Sequence, residues 1–523
     1  MKKITRKDFL RGSAAGAFTM ALGMIPGTAY AEETAAGDIV ASGEKYTATL
    51  TADGWIKVVN EDGATLGYSA DSGVTLIEVD GYAFKDLNGN GELDDYEDWR
   101  LDPETRAENL VSLMDVQDEL PLMLLGLYDF SYVAGEIDTI TERLDAGLRA
   151  SCTPFSLIAT DTWSQYINKA QAYVEAQDAY GIPVEFCAEI SAVTTLTSNW
   201  AHALSLAATM STDFAFESGK QLSLEMRALG ISGAMAPQAD VATDPRWARF
   251  LQTLGEDPQL TSDMISSFLN GFQSTFDEDG NDLGWGTDSV LTQIKHFPGE
   301  GSDEGGRDSH DSYGKYLIYP TEGSMDTLLT PFRNAMSLSG ATGQVSGVMP
   351  CYSVLIGSDG NPLDDEEVGG GFSDYLLQDV LRDELGFEGV ISSDFEIVTD
   401  LEDGGKCYGV EDLSVPERYL KAIIAGVDRF GGQSDPTDIL EAYQLGVEEY
   451  GEDYMKERID ESVYRLMLNY FRIGLFDNAY VSEEYINEVV NTEEASAAGY
   501  ESIAGYYHDK ERREPDSGIY IGR

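Results

Sequence analysis

Residues 373–395 read SDYLLQDVLRDELGFEGVISSDF and contain both of the structural periods on which the fold depends. The first half spaces its leucines and valine three and four positions apart, as on one face of an α-helix. The second half contains a short apolar run after a glycine, which is typical of a buried strand. The run leads into Asp394, so the pattern predicts a carboxylate held at the carboxyl end of a strand.

The same alternation of strand and helix extends over residues 99–480. Amphipathic patterns such as SDMISSFLNGFQSTF separate about eight apolar runs with the character of strands. These runs are LMLLGLYD, GLRASCTP, IPVEFCAEI, ISGAMAPQAD, VLTQIKHF, QVSGVMPCY, GVISSDF and IIAGVDRF. Alternating strands and helices predict a parallel sheet of the α/β class, and eight repeats predict a (β/α)8 barrel.

Polar side chains stand at the carboxyl ends of five of these strands. They are Glu189, Asp240, Lys295 with His296, Tyr352 and Asp394. Functional side chains of a (β/α)8 barrel gather at this end of the strands. One such residue alone is typical of a cap or a turn, but five strand ends together favour a functional site.

The segments that flank the barrel have a different character. In residues 32–98, apolar and polar positions alternate between DG turns, as in KYTATLTADGWIKVVNEDGATLGY, which predicts a small β element. Residues 481–523 are polar and predict a solvated helical tail.

The loop DLNGNGELDDYE, residues 86–97, matches the calcium-loop pattern D-x-[DN]-x-[DN]-G-x5-E at every position. The candidate oxygen ligands are Asp86, Asn88, Asn90, Glu92 through its backbone carbonyl, Asp94 and Glu97. A turn rich in Asp and Asn that needs no ion explains the pattern equally well, because EF-hand loops normally work in helix-flanked pairs. Structural Ca²⁺ is therefore one of two interpretations.

Residues 1–31 predict export. A basic start, MKKITRKDFLRGS, precedes the apolar run AAGAFTMALGMIPG and a small-residue cleavage pattern that ends at Ala31. TRKDFL resembles the twin-arginine export signature, with Lys7 in place of the second arginine. We therefore expect an extracellular, periplasmic or cell-surface protein. No later stretch approaches about 18 consecutive apolar residues, so no membrane span is predicted.

Charge and cysteine content exclude several classes of partner. The 93 acidic and 34 basic residues give a formal net charge of -59. Such a charge repels nucleic acid and anionic membrane surfaces, so neither is expected as a partner. Cys152, Cys187, Cys351 and Cys407 are widely spaced without a CxxC pattern, which predicts buried apolar residues rather than metal ligands.

Four ordered motifs resemble the N-terminal barrel domain of glycoside hydrolase family 3. They are APQADVATDPRWARFLQTLGEDP at 236–258, KHFPGEG, GVMPCYS and GFEGVISSDF. RIDESVYRLMLNYFRIGLFDN, residues 458–478, resembles the helix that closes that domain. The resemblance covers about residues 40 to 480. It implies a retaining glycosidase that hydrolyses terminal, non-reducing β-D-glucosides or related β-hexosides and needs no cofactor for catalysis.

The resemblance also assigns roles to single residues. Asp394 matches the nucleophile, which retention requires as a carboxylate at C1 of the sugar. Glu189 stands where the family has an aspartate that anchors distal hydroxyls, so the choice of glycone is open. The expected substrate-binding residues are Glu189, Arg249, Lys295, His296 and Tyr352.

The proton donor departs from the family pattern, since two-domain members take an acid/base glutamate from a second α/β domain and this sequence ends before one could begin. Single-domain β-N-acetylglucosaminidases of the family carry KHFPGHGxxxxDSH, in which an Asp–His dyad supplies the proton. Here six residues separate KHFPGEG from Asp308-Ser309-His310. A carboxylate beside a histidine orients the ring for acid catalysis. A similar EGGRD-x-H run in some two-domain relatives favours a structural loop instead.

Three functions remain open from the sequence. The first is an exported retaining β-glycosidase, and the second is a β-N-acetylhexosaminidase that uses Asp308 and His310. The third is a non-catalytic carbohydrate-binding protein, or the barrel half of an enzyme whose partner chain brings the acid/base glutamate. Turnover of aryl β-glucosides, of aryl β-N-acetylglucosaminides or of neither separates the three.

Overall fold

The computed structural model covers most of the region between the predicted export segment and the predicted tail. The described residues are 35–127, 136–153, 160–189, 197–198, 202–301, 303–401 and 405–490. The predicted export segment, 1–31, and residues 491–523 of the tail lie outside them. Within these ranges, no helix has the length and apolar character needed to cross a membrane.

The chain begins with the predicted β element. Four strands form an antiparallel sheet, and two more form a hairpin. They are β1 (Ile39–Ser42), β2 (Tyr46–Leu50), β3 (Trp55–Asn60), β4 (Thr65–Ser69), β5 (Thr75–Val79) and β6 (Tyr82–Asp86). Asp80 and Gly81 link β5 to β6 with left-handed φ angles of 54° and 84°, the backbone of a tight hairpin turn. Trp55 stacks on Tyr480 at 5.6 Å between ring centroids, which joins the element to the end of the barrel.

Eight parallel strands form a closed barrel. They are β7 (Leu124–Leu127), β8 (Ala150–Cys152), β9 (Glu185–Ala188), β10 (Ile231–Ala234), β13 (Leu291–Thr292) continued by β14 (Ile294–Phe297), β16 (Gly347–Pro350), β18 (Val390–Ile391) and β19 (Phe430–Gly431). They pair in chain order. A bridge between Ser392 and Arg429 joins β18 to β19, and β19 pairs with β7. The predicted α/β class and the (β/α)8 barrel with its N-terminal β element are therefore confirmed.

Helices surround this barrel, and short strand pairs lie in its loops. The helices are α1 (Pro103–Leu113), α2 (Val116–Glu119), α3 (Thr141–Asp145), α4 (Thr160–Gln177), α5 (Ala203–Ala208), α6 (Thr212–Ala228), α7 (Pro258–Phe272), α8 (Ser324–Leu328), α9 (Thr330–Ala335), α10 (Val415–Ala425), α11 (Thr437–Tyr450), α12 (Glu452–Arg472) and α13 (Glu483–Val489). A π-helix spans Tyr375–Glu384, and 3₁₀ turns span Leu120–Met123, Phe250–Gln252, Ser312–Gly314 and Gly370–Phe372. The loop strands are β11 (Thr275–Phe276), β12 (Asp282–Gly284), β15 (Tyr316–Ile318) and β17 (Val354–Ile356).

Local sequence explains how individual helices begin and how closely they pack. Ser414 and Glu417 form a capping box at the start of α10, with Pro416 in its first turn. Helices α6 and α7 cross at two glycines. A Cβ on Gly219 would lie 2.3 Å from the backbone oxygen of Phe268, and a Cβ on Gly271 would make an equally close contact with α6. The crossing therefore excludes any larger side chain.

The barrel interior is filled rather than open. Leu125, Ala150, Cys152, Cys187, Met235 and Met349 form a separate apolar layer inside it. Below this layer, Glu185 and Arg429 form a fully buried ion pair at 2.8 Å. All four cysteines are buried, as predicted, and none of the four forms a disulfide.

Candidate active site

Asp394 lies just after β18, at the carboxyl end of the barrel. The side chain is 5% exposed. Its Oδ1 accepts a hydrogen bond from the Phe395 backbone nitrogen at 2.7 Å. Its Oδ2 is buried without a hydrogen-bond partner among the described residues and lies 3.6 Å from Nε2 of His296. One oxygen of this carboxylate is therefore held in place, and the other faces the site.

His296, at the end of β14, is fixed by groups on both sides of its ring. Asp240 Oδ2 lies 2.8 Å from Nδ1, and Arg249 Nη1 lies 3.0 Å from Nε2. Because arginine can only donate, Nε2 accepts and Nδ1–H donates to Asp240, which makes the ring neutral. Burial and the nearby guanidinium lower the pKa of His296. Burial would raise the pKa of Asp240, but the imidazole and the guanidinium hold it below its usual range.

Arg249 lies above the nucleophile. Its Nη2 donates to Gln238 Oε1 at 3.2 Å and its Nε to Gln252 Oε1 at 3.0 Å. Burial would lower the pKa of Arg249, but surrounding carboxylates, first among them Asp394, raise it. The guanidinium is thus a permanent cation between the nucleophile and the pocket wall.

Lys295 and Glu189 join two strands across the pocket. The Lys295 Nζ donates to Glu189 Oε1. Only 5% of the lysine side chain is exposed, against 41% of the glutamate side chain. An ammonium group and a carboxylate therefore lie side by side at the pocket edge, where they can donate to and accept from neighbouring sugar hydroxyls.

Asp308 and His310 stand together at the rim. His310 Nδ1 lies 2.6 Å from Asp308 Oδ1, and Trp247 Nε1 donates to Asp308 Oδ2 at 2.9 Å. Burial would raise the pKa of Asp308, but its hydrogen bonds with His310 hold it far below the usual range. Tyr408 Oη donates to the backbone oxygen of Ser309 at 2.8 Å and so anchors the loop.

Tyr352 connects the rim to the nucleophile. The His310 ring meets the Tyr352 ring edge to face at 5.0 Å, and Tyr352 Oη donates to the Phe395 backbone oxygen at 2.8 Å. His310 is 42% exposed at its side chain, with Nδ1 occupied by Asp308, so Nε2 is left for a bound molecule. The structure thus brings together all the residues that the sequence suggested for the sugar site.

Sequence reasoning missed a pair of buried carboxyl groups behind the site. Ser353 Oγ lies 2.6 Å from Glu300 Oε1 and 2.7 Å from Asp303 Oδ1. One hydroxyl hydrogen serves only one carboxylate, so the other carboxyl group is protonated and donates to the serine oxygen. Burial accordingly raises the pKa of Glu300 to about 8 and that of Asp303 well above its usual range.

Trp247 was not assigned a role from the sequence, and Asp240 was named there only as one of the polar strand ends. Both lie in the motif at 236–258, so their neighbourhood was visible, but their partners were not. No local signal links Ser353 to Glu300 and Asp303, because the contact spans 50 or more positions of the chain.

The predicted calcium loop is internally hydrogen-bonded. Asn88 and Asn90 each donate from Nδ2 to Asp94 Oδ2, at 2.6 and 2.7 Å. Glu97 Oε1 accepts a hydrogen bond from the Leu87 backbone nitrogen at 2.6 Å, and burial raises the pKa of Glu97 to about 7. In the ranges that the structure describes, no three His, Cys, Asp or Glu side chains converge as metal ligands. The calcium site stays a prediction.

The sequence matches a known protein family. A profile of the "Glycosyl hydrolase family 3 N terminal domain" matches residues 147–468. A periplasmic beta-glucosidase/beta-xylosidase of Dickeya chrysanthemi is 34% identical over 80% of this chain and 66% of its own length. Beta-glucosidase C of Emericella nidulans is 38% identical over 57% of this chain and 45% of its own length.

Solved structures show the same fold. A β-glucosidase of Erythrobacter marinus superposes with a TM-score of 0.62 at 24% identity, over 79% of this chain and 51% of that one. An exo-1,3/1,4-β-glucanase of a Pseudoalteromonas species superposes with a TM-score of 0.61 at 20% identity, over 77% of this chain and 60% of that one. The chain thus spans between about half and two thirds of the length of these relatives.

Proposed function

Because the chain belongs to glycoside hydrolase family 3, we propose that it is a retaining glycosidase acting on terminal, non-reducing β-D-glucosides or related β-glycosides. The observation that carries the proposal is the state of Asp394. One oxygen of this carboxylate is buried, unpartnered among the described residues and lies 3.6 Å from His296 Nε2 at the barrel mouth. That is the arrangement which a covalent carboxylate nucleophile requires.

In the first step, Asp394 Oδ2 attacks C1 of the sugar and the bond from C1 to the leaving oxygen breaks. In the second step, the now neutral His310 takes a proton from a water molecule that attacks C1. The bond from C1 to Asp394 Oδ2 breaks, and the original configuration is restored. The Phe395 backbone nitrogen holds the other oxygen of the carboxylate, and the neutral His296 lies beside the reacting one. Lys295 and Glu189 bind hydroxyl groups on the opposite side of the ring.

The proton for the leaving oxygen comes, in this proposal, from His310. Nδ1 of the ring is held by Asp308, and the edge-to-face contact with Tyr352 keeps the ring on the side of the nucleophile. Asp308 is itself oriented by Trp247, so its carboxylate stabilises the cationic ring and directs Nε2 towards the leaving oxygen.

The same geometry supports a second candidate function, a β-N-acetylhexosaminidase that uses the Asp308–His310 dyad. The dyad is formed and lies within the site, which this function requires. Both enzyme proposals are tested against three other outcomes. These are a purely structural role for the loop, a partner chain that supplies an acid/base glutamate, and a carbohydrate-binding role without catalysis.

Export and calcium complete the proposal. The relative from Dickeya chrysanthemi is named a periplasmic enzyme, which supports the proposal that residues 1–31 direct export.

Calcium would be held by the 86–97 loop only if the amides of Asn88 and Asn90 turned their oxygens inward. Calorimetric titration of chelator-treated protein tests this, and a flat Ca²⁺ titration with an unchanged melting temperature would remove the calcium site.

The decisive experiment is release of 4-nitrophenol from a panel of aryl β-glycosides by the purified chain. The panel contains the β-glucoside, β-xyloside, β-galactoside and β-N-acetylglucosaminide. Preferred turnover of the glucoside or xyloside supports the first proposal, and preferred turnover of the N-acetylglucosaminide supports the second. Binding of the sugars by folded protein without turnover of any substrate would contradict both.

A further inference from the structure

A cavity of about 500 Å³ adjoins the sugar site on the side of Lys295 and Glu189. It lies between the end of β10 and helices α5, α6 and α7. Its wall is mainly apolar and includes Leu206, Leu222, Met235, Met264, Ile265 and Phe268. An apolar hollow of this volume with a few polar groups is typical of a small-molecule site.

One polar group in the wall has no partner among the described residues. Gln238 lines the cavity, is 8% exposed, and its Nε2 is buried without a hydrogen bond. Its Oε1 accepts from Arg249, which can only donate, so the orientation of the amide is determined and Nε2 is a free donor. Leaving such a donor buried is unfavourable, and a ligand oxygen would relieve it.

The order of the strands decides which part of the substrate reaches this cavity. Glu189 follows the third barrel strand, and Asp394 follows the seventh, directly opposite in a ring of eight. The proposed acid His310 lies against Tyr352, after the sixth strand. The leaving group is therefore on the side of the sixth and seventh strands. The cavity, between the third and fourth, faces the glycone on its far side from C1.

We propose that the cavity binds an acyl group carried by the glycone, with the acyl carbonyl oxygen on Gln238 Nε2 and the acyl chain in the apolar hollow. The proposal rests on the proposed glycosidase function and specifies its substrate class as glycosides acylated away from C1. An ester oxygen and an amide oxygen both supply the acceptor. The hydrocarbon chain beyond either one meets the side chains of α6 and α7.

The test compares 4-nitrophenyl β-glucoside with its 6-O-acetyl, 6-O-butanoyl and 6-O-hexanoyl derivatives. We expect kcat/KM to rise with chain length by about a factor of three to four per added CH₂, the value of burying one methylene group. A parallel series of 6-acylamino-6-deoxy β-glucosides shows whether an amide-linked chain at the same position gains in the same way. A gain in either series supports the proposal and identifies the linkage.

Two variants fill the cavity from different helices, Ser218→Phe on α6 and Met264→Trp on α7. Either one should abolish the gain from the acyl chain. The kcat/KM for the unsubstituted glucoside should stay within about twofold of wild type, since neither residue touches the catalytic groups. Met325→Trp, on α8 and outside the cavity, is the matched control. If one filling variant does not fold, the other still decides.

Two results would overturn the inference. One is full turnover of the unsubstituted glucoside with no gain from any acyl chain and no effect of filling. The other is a gain along a series of alkyl β-glucosides that the filling variants abolish, which would place the leaving group in the cavity. Failure to hydrolyse any glycoside would instead contradict the proposed function itself.

Discussion

The two ends of the barrel each bury a cluster of charged side chains, but only at one end are the carboxylates paired with cations. At the amino end, Asp428 precedes β19 and is fully buried. Its oxygens accept from Arg382 at 2.9 Å, Arg465 at 3.0 Å and Arg458 at 3.3 Å. Burial would raise the pKa of Asp428, but the three guanidinium groups lower it to about 2.

At the carboxyl end, carboxyl groups outnumber their cations. Asp394 has a buried oxygen without a partner among the described residues, and Glu300 and Asp303 share a single serine hydroxyl. Here burial and neighbouring acids raise the pKa of both Glu300 and Asp303. The carboxyl end therefore contains buried carboxyl oxygens with too few hydrogen-bond donors among the described residues.

The difference separates a cluster suited to stabilising the fold from one suited to binding a ligand. A buried carboxylate surrounded by three guanidinium groups cannot take a substrate, but its removal deprives Arg382 of its carboxylate partner. Unpaired and shifted carboxyl groups are costly to folding and are typical of functional sites. Four substitutions test this contrast.

The largest effect is expected for Asp394→Asn. Activity on 4-nitrophenyl β-glucoside should fall about 10⁴-fold, because the covalent route is lost. The melting temperature should hardly change, since the reacting oxygen has no hydrogen bond to lose among the described residues. Initial rates and a thermal melt of the same preparation measure both. Asp379→Asn, on the surface, is the control, and retained turnover in Asp394→Asn would exclude it as the nucleophile.

Asp428→Asn should lower the stability of the protein and leave its turnover nearly unchanged. Removing the charge leaves Arg382 without its carboxylate partner and leaves Arg458 and Arg465 with only the half-exposed Glu461. This should lower the free energy of unfolding by about 3–5 kcal/mol. Turnover by the folded fraction should stay within about twofold, since the residue lies at the opposite end of the barrel. Urea unfolding and rates at low temperature measure the two. An unchanged unfolding midpoint would refute the stabilising role of this cluster.

His310→Ala tests the proton donor at the rim. Hydrolysis of glycosides with poor leaving groups should fall about 10²-fold, while activated nitrophenyl glycosides should be nearly unaffected because they need little protonation. A plot of rate against the pKa of the leaving group gives the answer. Equal loss across the series would rule out general acid catalysis by this residue.

The smallest effect concerns the pH dependence of stability. The folded pKa of Glu300 is about 8, above its ordinary value of 4.5, because of burial and then Asp240, while Arg249 acts in the opposite direction. Its stabilising contribution is therefore complete below pH 4.5 and is lost as the pH rises through about 8.

Glu300→Gln should remove that loss and so raise the free energy of unfolding at pH 8.5 relative to wild type, by less than the pKa of Glu300 alone would give because Asp303 shares the proton. Denaturant unfolding at pH 5 and pH 8.5 measures it. Glu304→Gln, exposed on the same loop, is the control. The same pH dependence in Glu300→Gln and wild type would place the titrating proton elsewhere.

The fold could be predicted from the sequence because its signals are local. Each barrel strand is an apolar run, five of the eight runs end in a polar residue, and each helix between them has the period of one buried face. Lengths were less predictable. The run at 290–297 is divided at Gln293, whose backbone nitrogen donates to Ala234 and Ala236 instead, and the run at 389–395 contributes only Val390–Ile391 to the sheet.

The sequence by itself determined the order of the barrel strands, the positions of their polar ends and the resemblance that points to Asp394. Only the tertiary structure decided which side chains meet: Asp240 with His296 and Arg249, Ser353 with Glu300 and Asp303, and the apolar cavity behind Gln238. The physical reason is that spacing along the chain sets periodicity. Partners across a barrel, and the burial that shifts their pKa values, depend instead on how eight separate strands close into one ring.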